Sequence, residues 1–303
     1  MSVLAKKKID KKSDRIEVLK TYKLFIGGAF PRTESGRYFK YENNGKLANM
    51  CRGSRKDLRN SVVAARKAFG SWAGRSAYNR SQILYRIGEM LEGRRAQFES
   101  ELMDQGLTKT AAKKEVELSI DRLIYFSGWA DKYQQVFSGV NPVSSSHFNF
   151  SVYEPTGVVF AFCERKSSLL GLVSAVAPVI ASGNTIIALA SEDLPLCAIT
   201  FAEVLNSSDV PGGVVNILTG YSDELLEHAG AHLDINAIFY AAGEKKQLIK
   251  LKEIASNNVK RVFDENRNFL KDEGQDPYTI LNYCEVKTTW HPIEKIGTAG
   301  SGY

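Results

Sequence analysis

Gly157-Val158-Val159-Phe160-Ala161-Phe162-Cys163 is apolar throughout, with no alternation. A strand apolar on both faces belongs inside a sheet covered on both sides. Four more short apolar strands follow, at residues 184–190, 213–218, 237–241 and 260–263. Helical stretches at 169–180, 196–205, 222–230 and 244–256 separate them. Strand and helix alternating five times predicts an α/β fold with a doubly wound parallel, Rossmann-like sheet.

Upstream the period changes. Leu58, Val62, Ala65 and Phe69 recur at three- and four-residue spacing, as do Ile83, Leu84, Ile87, Met90 and Leu91, then Phe98 and Leu102, then Val116, Ile120 and Leu123. This predicts at least three helices over residues 55–135, with the intervening arginines and glutamates on solvated faces. Before them, residues 24–30 read as a small hairpin turned by Gly27-Gly28. After them, Phe148, Phe150 and Val152 alternate with Asn149, Ser151 and Tyr153, a strand whose apolar set forms the buried face. Residues 283–290 form another alternating strand before a Gly-Ser tail. The chain therefore divides into a basic flexible lead-in (1–21), a hairpin and helices packing on the sheet (22–142), arm strands (143–156), a cofactor-type Rossmann-like domain (157–268), a linker (269–280) and a C-terminal arm strand with its tail (281–303).

The formal charge of +6 over 303 residues hints at nucleic acid. However, residues 1–23 carry +5 of it, and the body is nearly neutral. In the lead-in, Asp10, Asp14 and Glu17 interrupt the basic residues and no aromatic precedes Tyr22, so base stacking has no platform. Neither a nucleic-acid nor a membrane partner is expected, since no segment has the length and apolarity of a spanning helix. The four cysteines form no CxxC pair, and His228 and His232, though four apart, lack further ligands, so no metal site is expected. Scattered cysteines without a secretory segment suggest a cytoplasmic setting.

A doubly wound sheet invites a nucleotide at the carboxyl ends of its strands. The first such turn here, Cys163-Glu164-Arg165-Lys166-Ser167-Ser168, has no glycine, and no GxGxxG or GxxxxGK[ST] occurs.

Several motifs in order resemble the aldehyde dehydrogenases. They are Glu154-Pro155-Thr156-Gly157-Val158-Val159, Ala177-Pro178-Val179-Ile180-Ala181-Ser182-Gly183-Asn184-Thr185 and Pro211-Gly212-Gly213-Val214-Val215-Asn216-Ile217-Leu218, flanked by the hairpin at 24–30 and the strand at 283–290. The resemblance implies an NAD(P)-dependent oxidoreductase fold, yet the functional positions depart from it. The asparagine that would hold an oxyanion is replaced at Lys166. Of the ribose-binding motif only Glu192 survives, within Leu189-Ala190-Ser191-Glu192, and the cofactor turn reads Tyr240-Ala241-Ala242-Gly243. Glu192 and Gly220 are then weak cofactor remnants, and Glu265 stands at the general-base position as a relic. Neither NAD nor NADP is expected to bind tightly. The catalytic domain that should follow is absent: a short linker leads straight to the terminal strand.

By this resemblance, the strands near 143–154 and 281–292 form an oligomerisation arm, a layout similar to the truncated second unit of two-unit aldehyde dehydrogenases. The expectation is a non-catalytic pseudoenzyme. It would form a homodimer, or a complex with a full-length aldehyde dehydrogenase, through Phe148, Phe150, Val152, Val286 and Trp290. The alternatives are an NAD(P)-binding oxidoreductase that acts only with a partner's catalytic domain, and nucleic-acid binding through the basic tail.

Overall fold

The computed structural model describes residues 20–43 and 45–293. Most of the expected lead-in and the Gly-Ser tail lie outside them. Lys20, at the end of that lead-in, is not free: its Nζ donates to Thr200 Oγ1 at 2.6 Å and pairs with Glu203 at 3.2 Å.

A hairpin that the sequence reading passed over, β1 (Tyr38–Asn43) and β2 (Lys46–Cys51), turns at Gly45 with φ +76°. The helices follow: α1 (Arg55–Ala73), α2 (Ala77–Gly93), α3 (Arg95–Asp104), α4 (Lys109–Trp129) and the short α5 (Tyr133–Phe137). Ser54 and Asp57 close a capping box at the start of α1, satisfying backbone donors that a helix end leaves open. The charged residues between the apolar positions are not all solvated. Arg80, Glu101, Glu115 and Arg122 are buried, because each reaches a distant segment that its own helix cannot reveal.

The arm begins at β3 (Gly139–Asn141) and continues in β4 (His147–Pro155). The parallel sheet and its helices then run as read: β5 (Val158–Phe162), α6 (Leu170–Ala181), β6 (Thr185–Leu189), α7 (Leu196–Asn206), β7 (Val215–Leu218), α8 (Ser222–Ala231), β8 (Ala237–Tyr240), α9 (Lys245–Ser256) and β9 (Arg261–Asp264). A short α10 (Tyr278–Leu281) precedes β10 (Cys284–Pro292). The sheet order is β7-β6-β5-β8-β9. Along β5, Val159 and Ala161 join a core shared with α2, α4, α6 and α7, whereas Val158, Phe160 and Phe162 join one shared with α1, α8 and α9. Two covered faces explain the unbroken apolar run.

The 24–30 turn docks on the sheet, where Phe25 and Ile217 exchange backbone hydrogen bonds at 2.9 and 2.8 Å. The glycines of the PGG run permit this approach. A Cβ on Gly212 would sit 2.5 Å from the Gly27 carbonyl oxygen, and one on Gly213 equally close to that of Ala64.

The arm is a separate sheet of order β10-β4-β3. Its register corrects the assignment of faces. Paired residues share a face, so Asn149, Ser151 and Tyr153 lie with Trp290, Thr288 and Val286, while Phe148, Phe150 and Val152 lie on the other side with His291, Thr289 and Lys287. Burial does not follow the apolar set: Asn149 is 2% exposed and Phe148 45%, while Phe150, Ser151, Val152 and Tyr153 are all half-buried. Asn141 Nδ2 donates to Asn149 Oδ1 at 2.6 Å and to Ser151 Oγ at 2.8 Å, giving both acceptors a partner.

Candidate functional site

In this sheet order the winding reverses between β5 and β8, so a ligand crevice is expected beyond the carboxyl ends of those two strands. Arg165 spans that gap. It leaves the end of β5, and its Nη1 lies 2.5 Å from Glu244 Oε1 at the N-cap of α9, beyond β8. Its Nε and Nη2 fork onto Asp193 at 3.1 and 2.9 Å, and Nη2 reaches Glu192 at 3.5 Å. One guanidinium thus ties together the ends of β5, β6 and β8.

Glu192, the expected ribose acceptor, is engaged on both sides. One oxygen faces Arg165, and the other accepts from the backbone N–H and hydroxyl of Ser222 at the start of α8. Gly220, the other expected remnant, has φ +149°, and a Cβ there would lie 3.1 Å from the Gly53 nitrogen. Its freedom serves the contact with the segment after β2, where Gly53 N–H donates to Thr219 C=O at 2.7 Å.

The starts of α6 and α7 are occupied from within the protein. At α6, buried Glu115 Oε1 accepts from Leu169 N–H at 2.9 Å, Leu170 N–H at 3.2 Å and the Ser167 hydroxyl at 2.9 Å. At α7, Gln105 Oε1 accepts from Leu196 N–H at 3.0 Å, and Ser168 Oγ accepts from Cys197 N–H at 3.3 Å. These are donors of the kind a phosphate would take. Glu115 belongs to α4 and Gln105 caps the end of α3, far away in sequence, and nothing local marked them.

Glu265 does not meet Lys166. Its carboxylate accepts from Arg267 N–H at 2.9 Å and Arg267 Nε at 2.8 Å, and Arg267 in turn reaches Thr279 and Asp276. Lys166 is exposed. All four cysteines are buried and unpaired. Burial pushes Cys163, just past β5, and Cys284 up to about 12, and holds Cys197 well above the ordinary thiol range. A thiol that stays protonated and enclosed is no nucleophile. A cleft of about 320 Å³ between Gly243, Glu244, Asp264 and Asn266 lies at the strand ends, while one of about 660 Å³ lies away from them, between Arg75, Arg80, Tyr133 and Tyr153. Among the described residues, no group of three or more His, Cys, Asp or Glu side chains could hold a metal ion, and no helix is long and apolar enough to cross a membrane.

Residues 33–302 match the aldehyde dehydrogenase family. The chain is 28% identical over 286 residues to mitochondrial 10-formyltetrahydrofolate dehydrogenase of Homo sapiens, covering 92% of this chain and 30% of that protein. It is 28% identical over 251 residues to omega-crystallin of Enteroctopus dofleini, covering 80% and 50%. Among solved structures, the NAD+ complex of aldehyde dehydrogenase from Bacillus cereus superposes with a TM-score of 0.75 at 25% identity, over 80% of this chain and 50% of that one. The chain thus spans between about a third and a half of these relatives.

Proposed function

We infer that this chain, which belongs to the aldehyde dehydrogenase family, is a non-catalytic subunit that assembles through its arm. One observation carries the reading. Only residues 265–283 lie between β9 and β10, where a further α/β domain would need on the order of 100 residues. Covalent aldehyde oxidation needs a thiolate, a base and an oxyanion donor converging on one carbon. Here the thiols are enclosed and Glu265 is neutralised by Arg267.

The nucleotide crevice supports the same reading. The residues present do not suit NAD or NADP, because Arg165 bridges the switch point, Glu192 is engaged and the starts of α6 and α7 are capped. Calorimetric titration of the full chain with NAD+ and NADP+ is expected to show no binding tighter than about 1 mM, near −4 kcal/mol. Incubation with short aldehydes and either cofactor is expected to yield no reduced nucleotide. Micromolar affinity would instead favour an oxidoreductase completed by a partner's catalytic domain, and turnover by the isolated chain would sink the proposal outright.

A further inference from the structure

β10 closes one side of the arm sheet, and among the described residues no strand pairs with its outer edge. The bonds at its two ends show which residues face that edge. Tyr283 C=O accepts from Thr156 N–H, and Ile293 N–H donates to Ser146 C=O, both at 3.0 Å on the β4 side. From the other side, Arg261 Nη1 donates to Cys284 C=O at 2.7 Å. In an extended strand both backbone groups of a residue point to one edge, and successive residues alternate. Residues 285, 287, 289 and 291 therefore face β4, while Val286, Thr288 and Trp290 turn N–H and C=O outward. The ladder is bounded on both sides. Pro292, the next outward position, has no N–H, and the Cys284 carbonyl is already engaged.

We propose that the outer edge of β10 pairs antiparallel with β10 of a second copy of this chain, about a two-fold axis at Thr288. The proposal rests on the arm-mediated, non-catalytic reading above and names its partner. Thr288 is the midpoint of the nine-residue strand, so this register alone keeps both strands in full overlap. Thr288 then faces itself, and Val286 faces Trp290 on either side, each pair exchanging two backbone hydrogen bonds. The bounds coincide: Pro292 meets Cys284.

The side chains agree with this register. Val286 and Trp290, 58% and 57% exposed, cover each other across the seam. On the opposite face Glu285 meets His291 and Lys287 meets Thr289, so no like charges oppose. Centring on Lys287 would set lysine against lysine, and centring on Thr289 would set Lys287 against His291. Centring on Val286 would push Trp290 against Asn282, in the turn before the strand. The product is a six-stranded sheet with no open edge between the copies, an isologous contact of the kind a two-fold axis requires.

Sedimentation velocity on the full chain across a micromolar dilution series tests the inference. A dimer is expected. Thr288→Pro removes an outward N–H, together with the hydroxyl that meets Ser151 Oγ at 2.9 Å, and leaves the backbone bonds to β4 in place, so it is expected to give a folded monomer with unchanged circular dichroism. Thr288→Cys is expected to form an intermolecular disulfide on mild oxidation, since paired Cα atoms lie about 5.5 Å apart. Val286→Cys alone, facing Trp290 rather than itself, is expected not to. A monomeric wild-type chain, a dimer that survives Thr288→Pro, or a Thr288→Cys chain that fails to cross-link overturns the proposal. So does a chain that is monomeric alone but retained by a complete aldehyde dehydrogenase. None of these outcomes touches the non-catalytic half of that reading, which is tested separately by cofactor affinity and aldehyde turnover.

Discussion

Glu115 and Arg165 both compensate charge at the strand ends, in settings that give them different weights. Glu115 is buried and accepts from three donors, two of them backbone groups opening α6. Removing it strands those donors out of water, and charged hydrogen bonds are worth about 1.5–3 kcal/mol each before relaxation. Glu115→Ala is therefore expected to cost about 2–4 kcal/mol in urea unfolding. Arg165 pairs with more carboxylates, yet Asp193 and Glu244 are exposed and solvent screens them. Arg165→Ala is expected to cost less than about 1 kcal/mol. Equal losses would show that burial is not what separates the two. Neither role was legible in the sequence. Glu115 follows Lys113-Lys114 and reads as a solvated helix position, because its acceptor role depends on Leu169 and Leu170, more than fifty residues away.

The same limit governs the elements. All five parallel strands and their helices were legible, since an apolar run flanked by turn residues is a local signal. The burial of β4 was not. Alternation shows that two faces differ, but it does not reveal that Asn149, which accepts from Asn141, is the buried position while Phe148 is exposed. The expected linker is likewise more than a connection. Phe269 and Ile280 along it and Tyr283 just past it are buried, and Arg122 in α4 donates to the carbonyls of Phe269 and Gly274. The segment closes the core where a further domain would otherwise be joined. Phe269→Ala is expected to cost about 3–4 kcal/mol, with hydrogen exchange rising over residues 265–283 ahead of the parallel sheet. Uniform exchange across both regions would mean that the segment opens only with the whole fold.

For the whole molecule, the buried groups set an alkaline limit with a defined sign. Cys163 and Cys284 are raised from 9.0 to about 12, and Tyr240 from 10.0 to about 12, all chiefly by burial. Above pH 9 the unfolded chain releases protons that the folded chain retains, so stability that is complete below pH 9 is lost as pH climbs towards 12. Lys260 acts in the opposite direction. Its ammonium donates to the carbonyls of Ala229, Gly230 and His232 at the end of α8, and burial lowers it from 10.5 to about 8. Between pH 8 and 10.5 the unfolded chain therefore holds the extra proton, so this residue's own contribution makes stability rise with pH, as Arg122, lowered by burial to about 10, does above pH 10. The raised groups outnumber it, since Cys197, Tyr22 and Tyr283 shift the same way as Cys163. The urea midpoint is expected to fall from about pH 9 upward. Lys260→Met, which removes the opposing contribution, is expected to steepen the decline between pH 8 and 10.5. A wild-type midpoint that rises through this window, or a slope that Lys260→Met leaves unchanged, would contradict the assignment. Ellman's reagent gives an independent reading at pH 8, where all four buried thiols should react only as the chain unfolds; a fast-reacting thiol in the folded protein would overturn both this account of the core and the case against a nucleophile.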